Sequence, residues 1–181
     1  MKHMNAMENL LARRSIRSYT GQPPTKEELD MILQAAYAAP IGMGRYDSVR
    51  ITVVTDRSFL AKLESACAAK RGEENYHPLY GAPMLVILSS ICPGIPTDNS
   101  SYSNTAIISQ NIALAAAHLG LGACHIWGAI RTLNTQDDLL ARLQLPAGFV
   151  PCCAVALGHT QETYSIESAR KHTMETTRLD G

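Results

Sequence analysis

The sequence predicts an α/β layering, a small sheet held between helices, and three observations carry that reading. Pro83-Met84-Leu85-Val86-Ile87-Leu88-Ser89-Ser90 is a continuous apolar run, too short for a helix and suited to a strand covered on both faces. Asn99 to Ile130 holds no Asp, Glu, Lys or Arg, although charged residues make up 18% of the chain. Strand-like and helix-like segments also interleave along the 181 residues, enough chain for one domain with a good core.

Met7 to Arg14 reads as a short helix with Met7, Leu10 and Leu11 on one side. Gly21-Gln22-Pro23-Pro24 breaks the chain, and Thr25-Lys26-Glu27-Glu28 forms a capping box that starts a second helix. Leu29, Ile32, Leu33, Ala36 and Tyr37 give it an apolar face, and Pro40 ends it. Val49 to Thr55 is a β-branched strand, followed by an Asp56-capped helix with Leu60, Leu63 and Cys67 inward. Ser103 to Leu119 reads as a helix so apolar all round that burial on every side is expected. Gly120 to Gly128 is a glycine-spaced exit into a short extended run. Thr135-Gln136-Asp137-Asp138 resembles a capping box and opens a further helix, and Cys152 to Gly158 closes the order as a buried strand. Ser165 to Gly181 is a polar tail with little core of its own, expected either to be disordered or to lie across a partner subunit.

Net charge is zero, which argues against a general nucleic-acid or acidic-membrane binder. No apolar run reaches the length of a membrane span, and Met1-Lys2-His3-Met4-Asn5-Ala6 lacks the apolar core of a signal peptide. Residues 1–6 read as a leader. The five cysteines are odd in number and scattered without CxxC, which points to packed, reduced thiols in a cytoplasmic setting and to no metal site.

Chemistry concentrates in Arg13-Arg14-Ser15-Ile16-Arg17-Ser18-Tyr19. Three arginine forks and a serine hydroxyl suit a dianionic phosphate, and a solvated basic turn is the plain rival. Dinucleotide GxGxxG, the P-loop, HExxH and GxSxG are all absent. His125 could act as a general base or serve as a hydrogen-bonded loop residue, and Trp127 could be core or wall a flat ligand. A phosphate-grade turn, glycine loops and an apolar helix without acid–base machinery fit a site where a bound cofactor carries the chemistry.

These segments resemble the nitroreductase family of FMN-dependent oxidoreductases across nearly the whole chain. Arg13 to Tyr19 is similar to the family's RRSIRxY/F opening, Gln110 to Cys124 to its QNxxLAAxxLGLGxC, and Leu145 to Gly158 to its LPxGxxPxxxxxLG. The resemblance implies an α+β fold with a small mixed β-sheet packed between helices, in an intertwined homodimer. The chain would form a single FMN-binding domain over 1–181, with the tail 165–181 crossing to the partner.

By the same resemblance Arg13, Arg14 and Ser15, with Arg170 of the tail, would hold the FMN phosphate. Arg17 would lie near the flavin N1–O2 edge. Ile126, Trp127 and Gly128 would run past the ring with the Gly128 N–H near N5, and Pro40, Ile41 and Gly42 would come from the partner subunit. The implied activity passes a hydride from NAD(P)H to nitroaromatic, quinone or similar small-molecule electron acceptors by a ping-pong mechanism. Dehalogenation, flavin breakdown, peptide dehydrogenation and a non-catalytic flavin-binding or sensing module are the alternatives. The loop after Pro40 departs from the family's Ser/Ser-x-x-Asn-x-Gln-Pro-Trp pattern: Ile41, Gly44, Tyr46, Asp47 and Ser48 stand at the matching positions.

Overall fold

Two polar side chains near the N-terminus decide where regular structure begins. Asn5 accepts from the Glu8 N–H at 2.9 Å, and the Glu8 carboxylate accepts from the Asn5 N–H at 2.8 Å. This reciprocal cap opens helix α1, Ala6–Ala12. Asn5 and Ala6, expected to belong to a leader, form the start of this helix. The computed structural model describes residues 4–92, 99–168 and 174–179.

Thr25 and Glu28 form the predicted capping box and open α2, Lys26–Tyr37. Strand β1 runs Val49–Val54. Asp56 accepts from the Ser58 and Phe59 N–H groups and caps α3, Arg57–Arg71, which ends at Gly72 in the left-handed region (φ 72°). Strand β2 is Met84–Ile91, helix α4 Ser100–His118 and strand β3 Gly122–Ile126. Two short helices follow, α5 (Gly128–Leu133) and α6 (Asp137–Arg142), before β4, Phe149–Gly158.

Helix α5 was not foreseen, and α6 opens where the Thr135 motif is read but without a side-chain cap. Thr135 Oγ1 donates back to the Thr132 carbonyl at 2.7 Å, and Asp138 is drawn off to Lys62 of α3.

The four strands stand in the order β1-β2-β4-β3. Every pairing is antiparallel, where a mixed sheet was expected. Leu85 and Ile87 of β2, Ala154 and Ala156 of β4, and Cys124 and Ile126 of β3 face α3, α5 and α6. Met84, Val86, Leu88, Cys153, Val155, Leu157 and Ala123 face α2 and α4. Both faces of β2 are thus covered, as its unbroken apolar run requires, even though its neighbours are antiparallel. Among the described residues no helix is long and apolar enough to cross a membrane.

The all-round burial expected of α4 is not met within one chain. Ile112, Ala113, Ala116 and Ala117 are buried, but Ile107 is 41% and Tyr102 49% exposed. Met7, Leu10 and Leu11 of α1 are likewise exposed. Exposed apolar side chains on helices in mutual contact form the kind of surface that another protein face covers.

Close packing at Gly158 carries a prediction. A Cβ there would sit 2.7 Å from Pro83 Cδ and 3.1 Å from Tyr19 Cδ1. The proline ring cannot swing aside, so Gly158→Ala should destabilise the protein by about 1–3 kcal/mol through overpacking. A urea midpoint equal to that of the wild type would refute this.

Candidate functional site

The basic turn is docked against the edge strand β3. Ile16 N–H donates to the Ala123 carbonyl at 2.9 Å, and Ile16 itself is fully buried. Tyr19 Oη lies 3.0 Å from the Ile16 carbonyl and 3.3 Å from that of Ala156. Thr20 N–H donates to the His159 carbonyl, and Thr160 Oγ1 donates to that of Ser18. Gly122 lets this segment lie close, because a Cβ there would stand 3.0 Å from both Ile16 and Tyr19.

The side chains of the turn gather at one place. Burial pushes the Cys124 thiol up, opposed by Arg17, Ser15 and Arg13, all of which face it from the turn. Arg14 pairs with Glu162 at 2.8 Å and donates to the Thr163 carbonyl at 3.3 Å, yet its Nε is buried without a partner. Burial, with Arg13 adding to it, lowers the pKa of His125, so the ring is neutral at pH 7. His125 Nε2 lies 3.3 Å from Gln110 Oε1, and Nδ1 is buried and unpartnered. Tyr164 donates to the Leu121 carbonyl at 2.8 Å, and burial pushes its phenol up to about 12. Arg17 reaches out over the Tyr80 ring, 5.5 Å from its centroid. Tyr80 is held at φ 57°, a left-handed conformation uncommon outside glycine.

β3 then hands over to α5 at the predicted ring-side residues. Ile126 is buried, Trp127 is 48% exposed, and Gly128 is the first residue of α5. Beside Gly128 opens a cavity of about 290 Å³ lined by Cys67, Lys70, Arg71, Tyr76, Arg131 and Thr132. Arg71 is neutralised by Glu73 at 2.8 Å, whereas Lys70 and Arg131 have no carboxylate partner among the described residues.

Arg13, Ser15 and Arg17 lie beside Cys124 of β3, Arg14 is held at Glu162 after β4, and Ile126, Trp127 and Gly128 carry β3 on into α5. Pro40, Ile41 and Gly42 of the same chain do not join them. Their loop precedes β1, at the opposite edge of the sheet. Three inter-strand spacings separate the edges by about 14 Å. Ile41 instead lines a cavity with Tyr37, Tyr46 and Ile108, and the Gly42 N–H donates to Asn104 Oδ1 at 3.1 Å. Arg170 lies outside the described residues. Sequence reasoning missed Glu162, Tyr164 and Tyr80.

An isoalloxazine nucleotide fits what is present. A phosphate offers acceptors to the unsatisfied Arg14 Nε and to the Arg13 fork, and the His125 ring leaves one nitrogen free for a further hydrogen bond.

The fold and this basic edge define a class of protein. Residues 10–159 match the model of the nitroreductase family, and the chain belongs to that family. Among relatives, it is 32% identical over 168 residues to FMN reductase (NADPH) of Bacillus subtilis, which covers 86% of this chain and 66% of that enzyme. It is also 32% identical over 170 residues to a protein of Methanothermobacter thermautotrophicus named putative NADH dehydrogenase/NAD(P)H nitroreductase, covering 88% of this chain and 79% of that one. The crystal structure of a nitroreductase with bound FMN from Bacteroides fragilis superposes with a TM-score of 0.78 at 28% identity, over 98% of this chain and all of that one. The chain spans just under two thirds of the length of the Bacillus reductase.

Proposed function

We propose that the protein is an FMN-dependent NAD(P)H oxidoreductase that reduces nitroaromatics, quinones or similar small acceptors by a ping-pong mechanism. The observation that carries this reading is the turn docked on β3, with an orphaned arginine nitrogen and with Arg13 and Arg17 beside Cys124 of that strand. Bound FMN supplies the two-electron exchange that these side chains cannot perform themselves.

The chain's part is to bind, orient and tune. Arg13, Arg14 and Ser15 hold the phosphate. Neutral His125 contributes a hydrogen bond without adding charge. Trp127 and Gly128 border the ring, and the bare Gly128 backbone leaves room for the ring and for whatever stacks on it. Lys70 and Arg131 draw the phosphates of the nicotinamide donor toward the same opening. Pro40, Ile41 and Gly42 complete the site from a second copy of the chain, because one copy keeps them at the far edge of its sheet.

Purified protein should be yellow, and either NADH or NADPH should bleach it without oxygen. A colourless protein that takes up no FMN, or a flavin that stays oxidised with both donors, would overturn the proposal.

Arg17 offers a finer test. A cation at the N1–O2 edge stabilises the negative charge gained on reduction. Arg17 is exposed, so screening trims the full charge-assisted bond to about 1 kcal/mol. Arg17→Ala should then lower the midpoint potential of the bound flavin by roughly 20 mV for a two-electron couple. An unchanged potential with FMN still bound removes Arg17 from that edge.

A further inference from the structure

Away from the basic turn, two thiols stand face to face. Cys92 follows the end of β2, and Cys152 lies in β4. Their sulfurs are 3.9 Å apart. The register explains why they meet. Leu88 pairs with Cys153 and Ser89 with Pro151, so Cys152 is the extra residue of a β-bulge and has no partner across the ladder. Cys152 lies beside Cys92 and Tyr102, and Cys153 packs toward α4. Cys152 is buried, whereas Cys92 is only half-buried. The other two thiols, Cys67 and Cys124, are buried elsewhere in the core.

We propose that Cys92 and Cys152 form a reversible dithiol/disulfide site that takes low-molecular-weight disulfides as its oxidant. The half-buried Cys92 thiol loses its proton to water and attacks one sulfur of the small disulfide, expelling the first small thiolate. This leaves a mixed disulfide on Cys92. Cys152 then gives up its proton and attacks the Cys92 sulfur, expelling the second small thiolate. The protein pair loses two electrons and two protons, and one small disulfide becomes two small thiols. Closing 3.9 Å to a bond of about 2.05 Å needs side-chain rotation, which the unpaired bulge position permits. Burial and the neighbouring Cys92 hold the Cys152 thiol up at about 12, which assigns first attack to Cys92. The product would staple the exit of β2 to the bulge of β4, next to the start of α4.

The test uses the full chain as purified, with its flavin, exposed to oxidised glutathione and mapped by mass spectrometry without reduction. Expected is a cross-linked peptide pair containing Cys92 and Cys152, a mass loss of two hydrogens, and the loss of two of the five titratable thiols. Cys152→Ser and Cys152→Ala should both stop with one glutathione on Cys92. The inference fails if wild type also stops at glutathionylated Cys92, if neither thiol reacts, or if the cross-link joins a different pair.

Discussion

Ile107→Asp is expected to turn the protein into a monomer and to strip its flavin in the same step. Ile107 sits midway along the charge-free α4 and is 41% exposed in the single chain. Tyr102 on the same helix and Leu10 and Leu11 on the neighbouring α1 are similarly open. A second copy covering this surface would have to bury the new carboxylate without a counter-charge, since residues 99–130 contain none. That costs several kcal/mol at each of two symmetric positions, enough to abolish a typical dimer. The fold itself should survive, because the side chain does not lie in the core of its own chain. Flavin loss should follow if, as proposed, Pro40, Ile41 and Gly42 complete the site from another copy. Light scattering coupled to gel filtration reads the mass, the visible spectrum reads the flavin, and circular dichroism reads the fold. A monomer that keeps its flavin would refute the shared site, and an intact dimer would refute this face.

The second large effect concerns the phosphate. Arg13→Ala should weaken FMN binding by roughly 10- to 150-fold, the loss of one charge-assisted contact of about 1.5–3 kcal/mol. Arg13 has no carboxylate partner among the described residues, so its charge is available. Arg14 differs, because Glu162 holds it at 2.8 Å and offsets its charge. Glu162→Gln should therefore leave FMN affinity equal or tighter, since it removes an anion beside a dianionic group. Equilibrium titration of flavin fluorescence into the stripped protein measures both. Unchanged affinity in Arg13→Ala, or a large loss in Glu162→Gln, would contradict the assignment of the turn.

What was legible in the sequence was mostly local. The Thr25–Glu28 box and the Asp56 cap involve groups three residues apart or fewer, and both form as read. The Asn5–Glu8 box was just as local, yet a polar start disguised it as a leader. Helix α5 escaped because it is six residues long and begins with a glycine after a tryptophan, neither a helix-start signal. The Thr135 cap fails to form for a tertiary reason, with Lys62 of α3 claiming Asp138. Strand direction was out of reach for a similar cause, since three helices and a strand separate β2 from its partner β4 along the chain. At the site, the arginine-rich heptad was legible as a phosphate motif. Its seat was not, because Ile16 meets Ala123 more than a hundred residues along the chain. Glu162 and Tyr164 are fixed by the same long-range docking.

The bonds that tether residues 16–20 to β3, to β4 and to the residues just after it have a thermodynamic consequence. A segment immobilised during folding has surrendered its backbone freedom already, so a ligand arriving there meets a shape in place and loses little further entropy in capturing it. Calorimetry of nucleotide capture at this end of the molecule should accordingly register a heat set by contacts made, with scant contribution from chain ordering.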